Sequence, residues 1–186
     1  MGKLVRISDS TINCEIVHRN IKYPRLEFKT GKLLLVLPID HRDYNNLIEK
    51  HQDWIFKRSS EIVAALEKAQ KKELNLKRTD EELKKSIYFI VDVVSSDLKI
   101  NINKIYFRKM KSKWGSCSPN KNLTINTLLK YLPENLIEYV IFHEMVHLIE
   151  RKHNKLFWKF IATKFDNYEE KEKELFEYWF LIQKKI

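Results

Sequence analysis

The residues of this chain best suited to do chemistry are two histidines four apart with a glutamate directly after the first: His143-Glu144-Met145-Val146-His147. On a helix, residues four apart lie one turn up on the same face, so both imidazoles can reach one ion. Neutral imidazole suits Zn2+, and three protein ligands leave a fourth position for water. Glu144 falls beside such an ion rather than under it, where a carboxylate can act as general base toward that water. The flanks Tyr139-Val140-Ile141-Phe142 and Met145-Val146-His147-Leu148-Ile149 are almost wholly apolar and predict a buried helix. Charges in such a segment are costly unless they have a task.

A third ligand is needed, and His153 is preferred. A continuous helix would rotate it roughly 240° from His147, so the spacing predicts that the helix ends near Glu150 or Arg151 and the chain turns back. The charged run Glu150-Arg151-Lys152 permits that ending, although it lacks the glycine that often assists one. Glu150, three residues past His147, is the rival ligand.

The elements that must position these groups follow from periodicity. Residues 12–38 read as β-structure: Ile12, Cys14 and Ile16 alternate with polar neighbours, and so do Leu26 and Phe28, then Leu33, Leu35 and Leu37, about a turn at Thr30-Gly31-Lys32. A helical pattern covers 44–70, and the charged stretch 71–78 reads as a linker. Thr79 and Glu82 form a capping-box signature for a helix running to about Asp97. Short strands are expected at Ile105–Phe107 and Leu123–Asn126, and helices at 134–150, 154–165 and 169–183. The fold class is α+β: a β-rich N-terminal part with a helix, residues 1–75, then a mostly helical part with a short sheet, residues 76–186, carrying the site.

Composition narrows the classes. The net charge of +10 points either to an anionic partner, nucleotide or nucleic acid, or to a lysine-rich solvated surface. The second reading is preferred because acidic residues are mixed in throughout. No apolar run approaches the length of a membrane span, and no secretory h-region follows Met1. Cys14 and Cys117, far apart, suit a reducing compartment, so a cytoplasmic location is expected. Cys117 reads as a small buried thiol rather than a ligand, and Phe157, Trp158 and Phe160 read as core.

From Arg108 onward the chain resembles the YgjP-like metallopeptidase family, relatives of the SprT and WLM zincins. The resemblance rests on Trp114-Gly115-Ser116-Cys117-Ser118, then Leu123-Thr124-Ile125-Asn126, Leu132-Pro133, Tyr139-Val140 before the His143–Leu148 motif, and His153 followed by Phe157-Trp158. It implies a zincin-like fold, zinc on His143, His147 and His153, and Glu144 as the catalytic group. Lys113 stands where the family usually has Arg, and Lys152 where it often has Asn or Asp.

The expected activity is zinc-dependent hydrolysis of a peptide or protein. Lys113, Trp114, Gly115 and Asn126 are candidate substrate contacts, a backbone amide near Gly115 or the Lys113 side chain is a candidate oxyanion partner, and Leu123–Asn126 is a candidate edge strand for an extended substrate. A nucleotide phosphoanhydride hydrolase on the same metal is a second reading, weakened by the lack of a Gly-rich phosphate loop. A nucleic-acid-associated protein with a structural zinc is a third. Glu144 weighs against that one, because a closed structural site needs no carboxylate beside its metal.

Overall fold

The computed structural model describes residues 2–7, 10–29, 31–41 and 44–186, with side chains described for 14–28, 31–41 and 44–186. The chain divides into two compact units, Met1–Lys71 and Lys72–Ile186.

The first unit holds four strands, β1 (Gly2–Ile7), β2 (Ser10–Arg19), β3 (Arg25–Lys29) and β4 (Lys32–Pro38), in the order β1-β2-β4-β3. The β1/β2 and β3/β4 pairs are antiparallel, and β2 runs parallel to β4. Lys29 pairs with Lys32, and Gly31 has φ 82°, which a glycine adopts without a Cβ penalty. Thr30 of the expected turn and the side chain of Ile12 lie outside the described residues. Central strand β4 departs from the expected alternation. Leu33 through Leu37 are all buried, the continuous apolar pattern of a strand covered on both faces. Cys14, Leu33, Leu35 and Leu37 pack with Ile48 of α1 (Asn45–Lys50) and Ile55 of α2 (Gln52–Ala69).

The second unit begins within the stretch expected to be a linker, and its bonds explain why. Lys72 Nζ reaches Glu174 at 3.3 Å and Glu177 at 3.2 Å, and Arg78 donates to the Lys130 and Leu132 carbonyls and pairs with Glu134 at 2.7 Å. Helix α3 (Asp80–Leu98) opens on the expected capping box. Thr79 Oγ1 accepts from Glu82 N at 3.1 Å, while Glu82 Oε2 accepts from Thr79 N at 2.7 Å.

Strands β5 (Lys104–Arg108), β6 (Gly115–Cys117) and β7 (Asn122–Asn126) form a sheet in the order β5-β7-β6, with β5/β7 parallel and β6/β7 antiparallel. The expectation that Leu123–Asn126 is an edge strand is therefore corrected. β7 has neighbours on both sides, and β5 and the short β6 lie at the two edges. A 3-10 turn (Thr127–Tyr131) leads into α4 (Glu134–Val146), whose Leu136, Ile137, Tyr139, Val140, Ile141, Phe142, Met145 and Val146 are all buried. Helices α5 (Lys155–Ala162) and α6 (Tyr168–Lys185) complete the unit. Among the described residues no helix is long and apolar enough to cross a membrane.

Replacing Thr79 with Ala removes the cap and leaves its N–H partner unpaired, an expected loss of about 1 kcal/mol. Urea unfolding followed by far-UV circular dichroism measures it. An unchanged midpoint would mean that the box does not hold the start of α3.

Candidate active site

The site is built where α4 stops. The regular helix ends at Val146 with His147 as its C-cap, earlier than the expected Glu150. The chain then tightens: Leu148 N donates to the Met145 carbonyl, and Ile149 N and Glu150 N both reach the Val146 carbonyl at 2.9 Å. Glu150, the rival ligand, is committed to the turn that follows. Its Oε1 accepts from Lys152 N at 3.0 Å, and its carbonyl lies 3.2 Å from His147 Nδ1. Asn154 Oδ1 accepts from Leu156 N and Phe157 N and starts α5. The reversal carries His153 back over the α4 histidines without the glycine that the sequence lacked.

One nitrogen from each of His143, His147 and His153 lies within 4.8 Å of the others. His143 Nε2 and His153 Nε2 are 3.0 Å apart. Ligands at roughly 2.0–2.1 Å around a tetrahedral zinc are separated by roughly 3.3 Å, so the donor set fits such an ion after a small adjustment. Its chemistry fits as well. Two imidazole nitrogens facing each other this closely need a proton or a metal cation between their lone pairs. Burial lowers the basicity of His147, partly offset by the Glu150 carbonyl, and burial together with the neighbouring His143 lowers that of His153. Both effects favour the neutral imidazole that a metal requires.

The rings are fixed from behind. His147 Nδ1 faces the Glu150 carbonyl, and His143 Nδ1 lies 3.3 Å from Glu172 Oε1, so each histidine keeps Nε2 for the shared point. Glu172, on α6, also accepts from Tyr139 Oη at 2.6 Å. Burial works against its charge, yet the bonds from His143 and Tyr139 outweigh it and hold the carboxyl below the usual carboxylate range. Phe157 stacks on His147 at 4.6 Å and Trp158 on His153 at 5.6 Å. Expected only as core, these two rings are also the wall of the histidine cluster.

Glu144 sits apart from the three nitrogens and against β6. A Cβ on Gly115 would come 2.7 Å from Glu144 Cγ and 3.2 Å from Cδ, so only glycine leaves room for this carboxylate. Burial raises the Glu144 pKa, opposed by the neighbouring His143 and Lys113 and by the backbone N–H of Cys117. A carboxylate made more basic by burial, yet flanked by the Cys117 N–H and the Lys113 cation, suits proton abstraction.

The four candidate substrate contacts separate. Gly115 is buried beneath Glu144, and Trp114 packs edge-on against Trp179 of α6 at 4.9 Å. Lys113 is exposed, with its charge felt at Glu144. Asn126 is fully buried and spends its amide on backbone. Its Nδ2 donates to the Met110 carbonyl at 3.0 Å and the Lys113 carbonyl at 2.7 Å, and its Oδ1 accepts from Met110 N at 3.2 Å and Leu128 N at 3.1 Å. Asn126 thus pins the segment that leads into β6. Cys117 is half-buried and outside the donor set, its thiol pushed up to about 11 by burial and by Glu144.

Sequence reading missed Glu172. It lies in the run Glu169-Glu170-Lys171-Glu172-Lys173-Glu174, whose composition is that of a solvated helix face, and nothing in the spacing separates it from its neighbours.

A family model described as YgjP-like, metallopeptidase domain matches residues 62–178. Two solved structures are similar. The metallopeptidase zymogen of Pyrococcus abyssi abylysin is 21% identical, over 47% of this chain and 88% of that one, with a TM-score of 0.42. The metallopeptidase zymogen of Methanocaldococcus jannaschii jannalysin is 30% identical, over 54% and 91%, with a TM-score of 0.43. No curated protein matches.

Two substitutions probe the supports. Gly115→Ala forces the Glu144 side chain aside, and hydrolysis should fall by about 10²-fold, the scale of a 1 Å misplacement, while metal content stays the same. Loss of metal instead would mean that β6 holds up the histidines rather than Glu144. Glu172→Gln should weaken zinc binding by about 10–100-fold in a chelator competition, and unchanged affinity would remove Glu172 from the support of His143.

Proposed function

The chain belongs to the YgjP-like metallopeptidase family, and on that premise we propose that it hydrolyses peptide bonds with Zn2+ held by His143, His147 and His153 and with Glu144 as general base. The observation that carries this reading is the convergence of three imidazole nitrogens beside a carboxylate that takes no part in their cluster. Zinc, when bound, polarises a scissile carbonyl and brings the pKa of water to about 7.

The protein's own groups do the rest. Glu144 accepts a proton from the attacking water, and its burial raises its basicity for that step. The same carboxylic acid then protonates the leaving amine. Glu172 and the Glu150 carbonyl hold the tautomers of His143 and His147, so that neither ring must reorganise. β6 is an edge strand of its sheet beside Glu144, and an extended peptide can add to it as a further strand. Lys113, exposed and close enough to influence Glu144, is the candidate side chain for charge developing on the carbonyl oxygen.

Glu144→Gln keeps size and hydrogen bonding but cannot take the proton. The variant should retain one zinc per chain by metal analysis, while cleavage of casein or a fluorogenic peptide falls by about 10²–10⁴-fold. Equal activity in the two proteins would overturn the role of Glu144. Turnover confined to nucleoside triphosphates would leave the metal site and overturn the peptidase.

A further inference from the structure

The positive charge of this chain is not evenly spread. From Leu98 to Pro133 there are eight Lys or Arg residues and not one Asp or Glu. That acid-free stretch contains the whole β5-β7-β6 sheet. The mixing expected from overall composition therefore fails in the segment that borders the site. Lys130 pairs with Asp80 at 2.9 Å. Arg108, Lys109, Lys111 and Lys113, all exposed, form no ion pair among the described residues.

These four cations occupy six consecutive positions running from the end of β5 to the start of β6. They are not on a free loop. Asn126 holds the backbone at both Met110 and Lys113. Two residues after Lys113 comes Gly115, in contact with Glu144. The sheet face beside them carries a trough of about 540 Å³ lined by Tyr106, Arg108, Ser116, Ser118, Asn122 and Thr124, with no carboxylate among them. In register, Tyr106, Thr124 and Ser116 lie side by side across the three strands.

Resting on the peptidase reading above, we infer that the substrate is an acidic polypeptide: Arg108, Lys109, Lys111 and Lys113 form a cationic rim that receives Asp and Glu side chains flanking the scissile bond. Like charges held together without ion-paired partners repel one another, and an anionic ligand relieves that repulsion. The edge strand argues that the anion is a polypeptide, because adding a strand to β6 requires a backbone of regularly spaced amide N–H and C=O groups, which a sugar–phosphate chain lacks. The cations are exposed, so the preference acts through steering and modest ion pairing and weakens as salt rises.

The test uses zinc-loaded full-length protein and fluorogenic peptides that share one cleavable core, with flanks of Asp/Glu, Asn/Gln or Lys/Arg. The readout is the ratio of kcat/KM for acidic over neutral flanks, which a general loss of activity does not move. Wild type should favour the acidic peptide by about tenfold at low salt. In Lys109→Glu/Lys111→Glu the ratio should fall to one or below. A control, Lys184→Glu/Lys185→Glu at the exposed end of α6, changes net charge equally and should leave the ratio as in wild type. Equal cleavage of all flanks by wild type, or the same shift in the control, overturns the inference and leaves the peptidase standing. Tighter competition by a single-stranded oligonucleotide than by an uncleavable acidic peptide also overturns it, in favour of a nucleic-acid surface. Cleavage of none of the peptides, nor of casein, by zinc-loaded wild type overturns the peptidase reading and this inference together.

Discussion

Everything at the site depends on bringing three imidazole nitrogens to one point from a helix that is apolar on all sides. A helix alone supplies two, His143 and His147, and it cannot supply the third because its rotation carries later residues away. The chain solves this by ending α4 at Val146 and tightening the backbone over the next turn. Glu150 is central to the reversal: its side chain accepts from Lys152 N, and its carbonyl faces His147. The residue that competes with His153 as a ligand by spacing is the one that lets His153 arrive.

A second constraint governs Glu144. It must stay beside the histidines without joining them, and β6 keeps it there. Gly115 gives it room, and the Cys117 N–H and the Lys113 charge favour its ionised form against burial. That strand is only three residues long and would be poorly fixed by its ladder alone. Asn126, buried at the end of β7, ties the incoming segment at Met110 and Lys113. A satisfied buried amide of this kind rigidifies what it holds. The result is a site whose histidine side is set by helices and whose Glu144 side is set by a sheet edge.

Much of this was legible in the residues. The i, i+4 histidines lie on the expected helix, the Thr79–Glu82 box starts α3 where its spacing says, and the turn before His153 follows from helical rotation. What was not legible is tertiary. β6 has three residues, too few for alternation to register, and a parallel β5/β7 pair with β6 outside cannot be inferred from strand order along the chain. Asn126 looked like a polar residue near a site, and only burial reveals its task. Glu172 hides in a charged helix face until α6 packs against Tyr139 and His143. The cationic sheet was readable, but only by counting charge along the segment instead of over the whole chain, where Asp and Glu in the helices mask it.

The central claim is that three imidazoles, and no thiolate or carboxylate, hold the metal. X-ray absorption at the zinc edge, on protein reconstituted with one equivalent of Zn2+, tests it directly. The account predicts a shell of nitrogen and oxygen scatterers at about 2.0–2.1 Å with the multiple scattering of three imidazoles, reduced to two in His153→Ala. A sulfur scatterer at about 2.3 Å, which would implicate Cys117, or a spectrum unchanged in His153→Ala would contradict it.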